Sequence, residues 1–270
     1  MATTSKGKAL VTGASTGIGA VYADRLAKRG YDLVIVARNG KQLQDLAARL
    51  TAETGRAVEV LQADLTKDAD LQKVEQKLAS DPQLTILVNN AGIAANGKLA
   101  DHALKSVDEI IKLNITALTH LAAAAAKSFA ARGKGTIVNV ASVVALVPER
   151  FNATYSASKA YVLALTQTLN VELADTGVTV QAVLPGATRT EIWARSGIDP
   201  AGLPAEIVME AEEMVDAALA GLDQGELVTI PALPNYGDWQ RFEEARAALG
   251  PNLSLNRAAQ RYKVASKSAA

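Results

Sequence analysis

The sequence predicts an α/β fold, a doubly wound parallel sheet of seven strands flanked by helices. Three observations point there. Short β-branched runs alternate with long Ala-rich, charged segments of helical period, the rhythm of strand–helix–strand units. The strand runs are continuously apolar, as over Leu33–Ala37, and such runs suit strands buried on both faces of a parallel sheet. No Pro/Ser/Gly-rich linker separates two halves, so the alternation reads as one domain.

The apolar run Ala9–Thr12 is the first strand. Ile18–Arg29 carries apolar residues at helical spacing and stops at Gly30, which makes it the first helix. Asp32–Ala37 is the second strand, and Lys41–Thr54, closed by Gly55, the second helix. Val58–Leu61 and Asp68–Ala79 repeat the pair. Leu84–Val88 is the fourth strand. A loop with Gly92 and Gly97 then leads into one long helical stretch, Leu104–Arg132. Gly135–Val140 is the fifth strand. Ala153–Ala174 is helical up to Gly177, and Val178–Leu184 is the sixth strand. A helix over Ala211–Leu222 and a strand over Leu227–Ile230 complete the alternation. Two segments break it, Pro185–Met209 and everything after Pro231. Insertions beyond the carboxyl ends of strands shape ligand sites in such folds. Residues 186–209 are therefore expected to be a substrate lid, and 232–270 a C-terminal extension of a single 270-residue domain.

Composition excludes several functions. The chain is 49% hydrophobic and 21% charged, which rules out a disordered or fibrous protein. Twenty-eight basic residues balance twenty-eight acidic ones, so no net field attracts nucleic acid or an anionic membrane. With no cysteine, disulfides, thiolate catalysis and Cys-ligated zinc are excluded. His102 and His120 are the only histidines. They leave little for a His-based hydrolase or a metal site, and both are expected at a surface or interface. The opening residues lack the run of about 7–15 apolar residues of a secretory signal. The apolar run Leu121–Ala126 falls far short of the ~20 residues that span a bilayer. A cytoplasmic protein with no membrane partner is expected.

Four motifs carry chemistry, each at a predicted strand end. The first is the glycine turn Thr12-Gly13-Ala-Ser15-Thr16-Gly17-Ile18-Gly19. There the backbone must turn sharply and let a diphosphate approach a helix N-terminus, and a residue without Cβ suits both needs. The second is Arg38-Asn39, after the second strand. A carboxylate about 20 residues beyond such a turn would accept a ribose 2′-hydroxyl. Arg38 stands there instead, and a guanidinium attracts a 2′-phosphate. The third is Asn89-Asn90-Ala91-Gly92, able to line a cofactor crevice or to form a plain turn. The fourth joins Ser142, at the end of the fifth strand, to Tyr155 and Lys159, four residues apart on one helix face. A phenol of pKa about 10 is a poor acid–base at neutral pH, and a nearby ammonium is expected to lower that value.

Together these motifs resemble the short-chain dehydrogenase/reductase family, over about residues 6–231. The family's glycine turn matches at Thr12, Gly13, Gly17 and Gly19, and its Asn-Asn-Ala-Gly block at Asn89–Gly92. Its catalytic asparagine, serine, tyrosine and lysine fall on Asn114, Ser142, Tyr155 and Lys159, with the family's thirteen-residue step from serine to tyrosine. Its Pro-Gly turn matches Pro185-Gly186, with Thr188 and Thr190 beyond, and its adenine-side pair matches Asp64-Leu65. The resemblance implies a Rossmann-like fold and hydride transfer between a nicotinamide and a carbonyl or alcohol carbon. It implies Tyr155 as proton donor, Lys159 as its activator and ribose ligand, Ser142 as orienter of the substrate oxygen, and Asn114 as holder of a relay water. Arg38, with Ser15 and Asn39 as helpers, favours NADPH over NADH. Thr16 stands where some NADP-preferring members carry a basic residue, which leaves NADH use open. A homodimer or homotetramer is implied as well.

The substrate side is apolar. Ile192, Trp193, Ile198, Leu203 and Pro204 in the lid, and Val143, Val144, Leu146 and Val147 after Ser142, suit an apolar ketone or aldehyde, or stabilise the sheet edge by packing. Beyond Pro231, Tyr236, Trp239, Phe242, Leu249, Leu253, Leu255 and Tyr262 give the tail anchors, and it is expected to border the substrate site. The sequence thus predicts an NADPH-dependent reductase of a ketone or aldehyde carbonyl, reversibly oxidising a secondary alcohol. The alternatives are a 3-oxoacyl-thioester reductase, a non-catalytic NADP(H)-binding sensor or scaffold, and a sugar-nucleotide epimerase or dehydratase. The last wants a large C-terminal substrate domain that this sequence lacks.

Overall fold

The computed structural model describes residues 5–196 and 202–262. Its backbone contacts divide the chain into two compact units, Met1–Pro231 and Ala232–Ala270. The first unit holds a sheet of seven parallel strands: β1 (Lys8–Thr12), β2 (Asp32–Ala37), β3 (Val58–Gln62), β4 (Leu84–Asn89), β5 (Gly135–Val140), β6 (Val178–Val183) and β7 (Val228–Thr229). They lie in the order β3-β2-β1-β4-β5-β6-β7. Strand order reverses between β1 and β4, and in open α/β sheets the crevice at that point is where ligands bind.

Helices α1 (Gly17–Lys28), α2 (Gly40–Thr54), α3 (Asp68–Ser80), α4 (Leu104–Ile110), α5 (Leu118–Ala131), α6 (Ala153–Glu172), α7 (Ile192–Arg195) and α8 (Ala211–Asp223) belong to the same unit. Two apolar clusters explain why the inner strands are apolar on both faces, whereas the edge strand β3 exposes Glu59 and Gln62. Leu33, Ile35 and Val88 point to one side, against Leu26 of α1, Leu43 of α2 and Met214 of α8. Val34, Val36 and Leu87 point to the other, against Val74 of α3, Phe129 of α5 and Leu169 of α6. Alternate residues of each strand therefore enter opposite cores, and both cores demand apolar side chains.

Three sequence expectations need correction. The stretch Leu104–Arg132 is not one α-helix: residues Ile111–Ala117 between α4 and α5 form a π-helical segment. Within that segment Asn114 turns its side chain onto the backbone of Ile93. The seventh strand is two residues long rather than four. It is held at its edge by Gln181, whose Nε2 donates to Thr229 Oγ1 (2.8 Å) and to the Ala218 carbonyl oxygen (2.9 Å). The sixth helix ends at Glu172 rather than Ala174, and the chain leaves it through Asp175 at φ 49° and Gly177 at φ 73°.

A Cβ at Gly177 would both demand a left-handed backbone and run into the Gly133 carbonyl oxygen. Gly177→Ala should therefore lower unfolding free energy by at least about 2 kcal/mol. Urea unfolding monitored by circular dichroism would show it as a shifted midpoint with an unchanged slope.

The second unit carries α9 (Tyr236–Ala247), capped by Asn235 Oδ1 accepting from the Gly237 N–H at 2.9 Å. Trp239 and Phe242 stack within it, with ring centroids 5.5 Å apart. Arg246 pairs with Glu243 at 2.7 Å. No helix among the described residues is long and apolar enough to cross a membrane.

Candidate active site

The glycine turn and the end of β4 are built as one piece. Buried Thr12 ends β1. Its Oγ1 donates to the Val88 carbonyl oxygen (3.2 Å) and accepts from the N–H groups of Asn90 and Ala91 (3.0 Å each). Asn90 Nδ2 returns the contact to the Thr12 carbonyl oxygen at 2.9 Å. Gly13 has φ 66°, and a Cβ there would stand 2.8 Å from Asn90 Nδ2 and 2.9 Å from Ala91 Cα. On the first turn of α1, a Cβ at Gly19 would run into the Gly13 carbonyl oxygen. A Cβ at Gly17 would come within 3.1 Å of Thr190 Cγ2. Thr16 caps α1 without a side-chain hydrogen bond, and the first turn holds no acidic residue. The leading N–H groups of α1 thus keep their bonding capacity for an anion.

The expected nucleotide-side residues lie along the neighbouring strand ends. The Ala14 N–H donates to the Val36 carbonyl oxygen at 3.2 Å, which sets the turn beside the end of β2. Arg38 follows β2, exposed, and its guanidinium has no ion pair among the described residues. Asn39 is engaged as N-cap of α2, its Oδ1 accepting from the Gln42 N–H at 3.2 Å. The Asp64 carboxylate accepts from Thr66 Oγ1 (2.7 Å) and the Thr66 N–H (3.1 Å). Leu65 is buried in the core, while Ser15 and Ile18 are half-buried.

The acid–base residues converge from β5, α6 and the π-helical segment. Ser142, just past β5, is buried; its Oγ accepts from the Val144 N–H and donates to the Pro185 carbonyl oxygen (3.4 Å each). Lys159 is buried one helical turn beyond Tyr155. Its Nζ donates to the Val140 carbonyl oxygen at 2.8 Å and lies 5.7 Å from the Tyr155 ring centroid. Asn114 is buried, with Oδ1 accepting from the Ile93 N–H (3.0 Å) and Nδ2 donating to the Ile93 carbonyl oxygen (2.9 Å) and Ser158 Oγ (3.1 Å). Ser158 Oγ in turn donates to the Tyr155 carbonyl oxygen at 2.7 Å. Where a Gly92 side chain would begin, Asn114 Oδ1 is 3.3 Å away and Lys159 Nζ 3.6 Å.

Protonation departs from the sequence expectation. Burial pushes the Tyr155 phenol up to about 12, and the Ser142 hydroxyl draws it back only in part. Burial also pushes Lys159 down to about 8. The phenol is raised rather than lowered because it leaves water, and desolvation disfavours the charged form of both the phenol and the ammonium.

Sequence reasoning missed several residues. Asn152 caps α6 by accepting from the Tyr155 N–H at 3.1 Å, and its Nδ2 donates to the Gly97 carbonyl oxygen at 2.8 Å. An Asn directly before a helical pattern is a cap signal that would have found it. Phe151 meets the Tyr155 ring at 5.4 Å and the Trp193 ring at 6.4 Å; nothing in its local sequence marks it. Trp193 Nε1 donates to the carbonyl oxygen of buried Thr188 at 2.6 Å. Thr188 also bridges Met209. Leu203 is half-buried and Pro204 exposed, whereas Ile198 lies outside the described residues. Gly186 is exposed, and a Cβ there would meet nothing within 4 Å. Exposed His120 meets Glu75 through Nδ1 at 2.7 Å, and half-buried His102 meets the Asn96 carbonyl oxygen through Nε2 at 2.7 Å.

Residues 7–200 match the family model of the short chain dehydrogenases. The chain belongs to the short-chain dehydrogenase family. As a short-chain dehydrogenase it is an oxidoreductase, and the fold agrees. A short-chain dehydrogenase from Sphingobium yanoikuyae, solved in complex with NADPH, is 52% identical with a TM-score of 0.92, covering 95% of this chain and 99% of that one. A bulky-bulky ketone specific alcohol dehydrogenase from Comamonas testosteroni is 47% identical, TM-score 0.88, covering 96% and 99%. Among curated relatives, the 17-beta-hydroxysteroid dehydrogenase type 3 of Homo sapiens is 39% identical over 185 residues. That match spans 67% of this short-chain dehydrogenase but 59% of the human protein, so the chain covers under two thirds of that relative.

Proposed function

We propose that this chain is an NADPH-dependent carbonyl reductase that reduces a ketone or aldehyde and, in reverse, oxidises a secondary alcohol. The observation that carries the proposal is the convergence of Ser142, Tyr155 and buried Lys159 beside the glycine turn. The residues present fit the cofactor. The turn has no room for side chains where a diphosphate must approach, the first turn of α1 has no side-chain cap, and exposed Arg38, without an ion pair among the described residues, offers its guanidinium to a 2′-phosphate. Relatives bound to NADPH support the same choice. Gly13–Gly19, Arg38 and Asn90–Gly92 would hold it, with Thr188 and Thr190 on the lid side. When bound, the cofactor supplies the hydride for the carbonyl carbon.

The chain's own residues supply the proton. A phenol at about 12 is neutral at pH 7, so Tyr155 can donate to the carbonyl oxygen. Ser142, tied to Pro185, orients that oxygen. Lys159, positively charged below about 8, faces the phenol and favours the phenolate left after transfer. Asn114 fixes Ile93 and, through Ser158, the turn of α6 that carries Tyr155. Asn114 Oδ1 and Lys159 Nζ both lie against Gly92, and we assign these two groups to the relay that returns a proton from solvent to the phenolate.

A titration checks this assignment. Lysine charge is lost as pH rises through its folded pKa, so kcat/KM for reduction should be flat near neutrality. It should then fall about tenfold per pH unit above about 8. Constant activity to about pH 10 would remove Lys159 from the proton step. The function itself is tested by NADPH and NADH oxidation over ketones, aldehydes, diketones, steroids and acyl thioesters. Turnover requiring NADPH is expected; tight NADP binding with no turnover on any class would favour a sensor.

A further inference from the structure

We propose that Phe151 and Trp193 determine the substrate class of the Tyr155 site, selecting ketones that bear a flat aryl or fused-ring substituent. This rests on the reductase reading above. Tyr155, Phe151 and Trp193 form a continuous run of rings. The first pair meets at 5.4 Å with planes 66° apart, the second at 6.4 Å with planes 86° apart. Edge-to-face contacts of this kind fix ring positions and leave further faces and edges for another π-system. Because Phe151 packs directly on the Tyr155 ring, we place against it the substituent of a carbonyl held within hydrogen-bond reach of the Tyr155 hydroxyl, about 3 Å.

The wall is anchored at both ends. Phe151 directly precedes Asn152, the cap of α6, whose amide is fixed to the Gly97 carbonyl oxygen at 2.8 Å. The Trp193 indole N–H is satisfied by the Thr188 carbonyl oxygen at 2.6 Å, and Thr188 is itself buried and bridged to Met209. With its one polar atom bonded internally, the indole offers an apolar surface with no unpaired donor. Val143 and Val144, half-buried after Ser142, add aliphatic surface and no charge. Such a site rewards flat apolar area and offers nothing to a polar or branched hydroxylated substituent.

Steady-state reduction of 2-butanone, acetophenone and 2-acetylnaphthalene by the NADPH-saturated enzyme tests the proposal. kcat/KM should rise by about 100-fold along the series. Phe151→Ala should cut kcat/KM for the naphthyl substrate by about 20-fold or more and lower it at least about 5-fold further than it lowers 2-butanone, so that the size preference collapses. Phe151→Leu, which keeps volume but loses the ring, should fall between and serves if the alanine variant does not fold. Equal losses for every ketone, or no size preference in the parent enzyme, would overturn it.

Ligand binding separates this proposal from the reductase reading. Titrating 2-acetylnaphthalene should quench a tryptophan signal that Trp193→Phe lacks, with a Kd about 10-fold weaker in Phe151→Ala. Quenching without turnover would leave the aryl site standing and remove the reductase reading. Absence of quenching would sink the aryl site whether or not small ketones are reduced.

Discussion

Tyr155→Phe is expected to lower kcat for ketone reduction by about 10³-fold and to leave the fold intact. The hydroxyl is the neutral proton donor of the site, with a phenol held up at about 12 by burial. Its removal leaves the ring, and so the Phe151 contact at 5.4 Å, in place. The hydroxyl's protein interaction is with Ser142, so stability should change by no more than about 1 kcal/mol. Single-turnover NADPH oxidation with the variant, beside a thermal melt, checks both halves. Activity above about a tenth of the parent's would transfer proton donation to another group, and Ser142 is the hydroxyl placed to take it.

Much of this site was legible because its residues sit at strand ends, where sequence order and spatial order coincide. Thr12, Asn90 and Ala91 are 78 and 79 residues apart in sequence, yet each belongs to the carboxyl end of a neighbouring parallel strand. The four-residue step between Tyr155 and Lys159 needs only a helix to put them on one face. Other features depend on contacts no local pattern encodes. The π-helical segment Ile111–Ala117 lies in a stretch whose apolar residues fit an α-helix equally well. The segment carries the pairing of Asn114 with Ile93, 21 residues earlier, a contact that its local pattern does not show. Phe151 and Trp193 are 42 residues apart and meet through a tertiary ring contact that neither local pattern announces. The direction of the Tyr155 shift follows from burial outweighing the Ser142 hydrogen bond, a balance that spacing does not reveal. The short β7 likewise depends on Gln181 serving two elements at once.

Arg38→Glu should weaken NADPH use by about 100-fold in kcat/KM and raise NADH use relative to it, reversing the cofactor preference. Hydrogen bonds to charged groups contribute about 1.5–3 kcal/mol, which is roughly a factor of 10–150 in affinity. Replacing attraction by repulsion adds to that loss for a 2′-phosphate. A carboxylate at the same place can accept from a free 2′-hydroxyl instead. The rest of the nucleotide side offers no substitute. Thr16 is uncharged, Asn39 Oδ1 is taken by the Gln42 N–H at 3.2 Å, and the Asp64 carboxylate is bonded to Thr66. Arg38 is exposed and has no ion pair among the described residues, so its loss should cost the fold little, within about 0.5 kcal/mol. Initial rates with both cofactors over a range of salt concentrations give the check. The NADPH preference of the parent should shrink as salt rises, because an exposed pair is screened over about 8–10 Å at 0.10–0.15 M ionic strength. The variant's NADH activity should barely respond. If the glutamate variant keeps its NADPH preference, the 2′-phosphate is held elsewhere, and Ser15 in the glycine turn becomes the residue to substitute next.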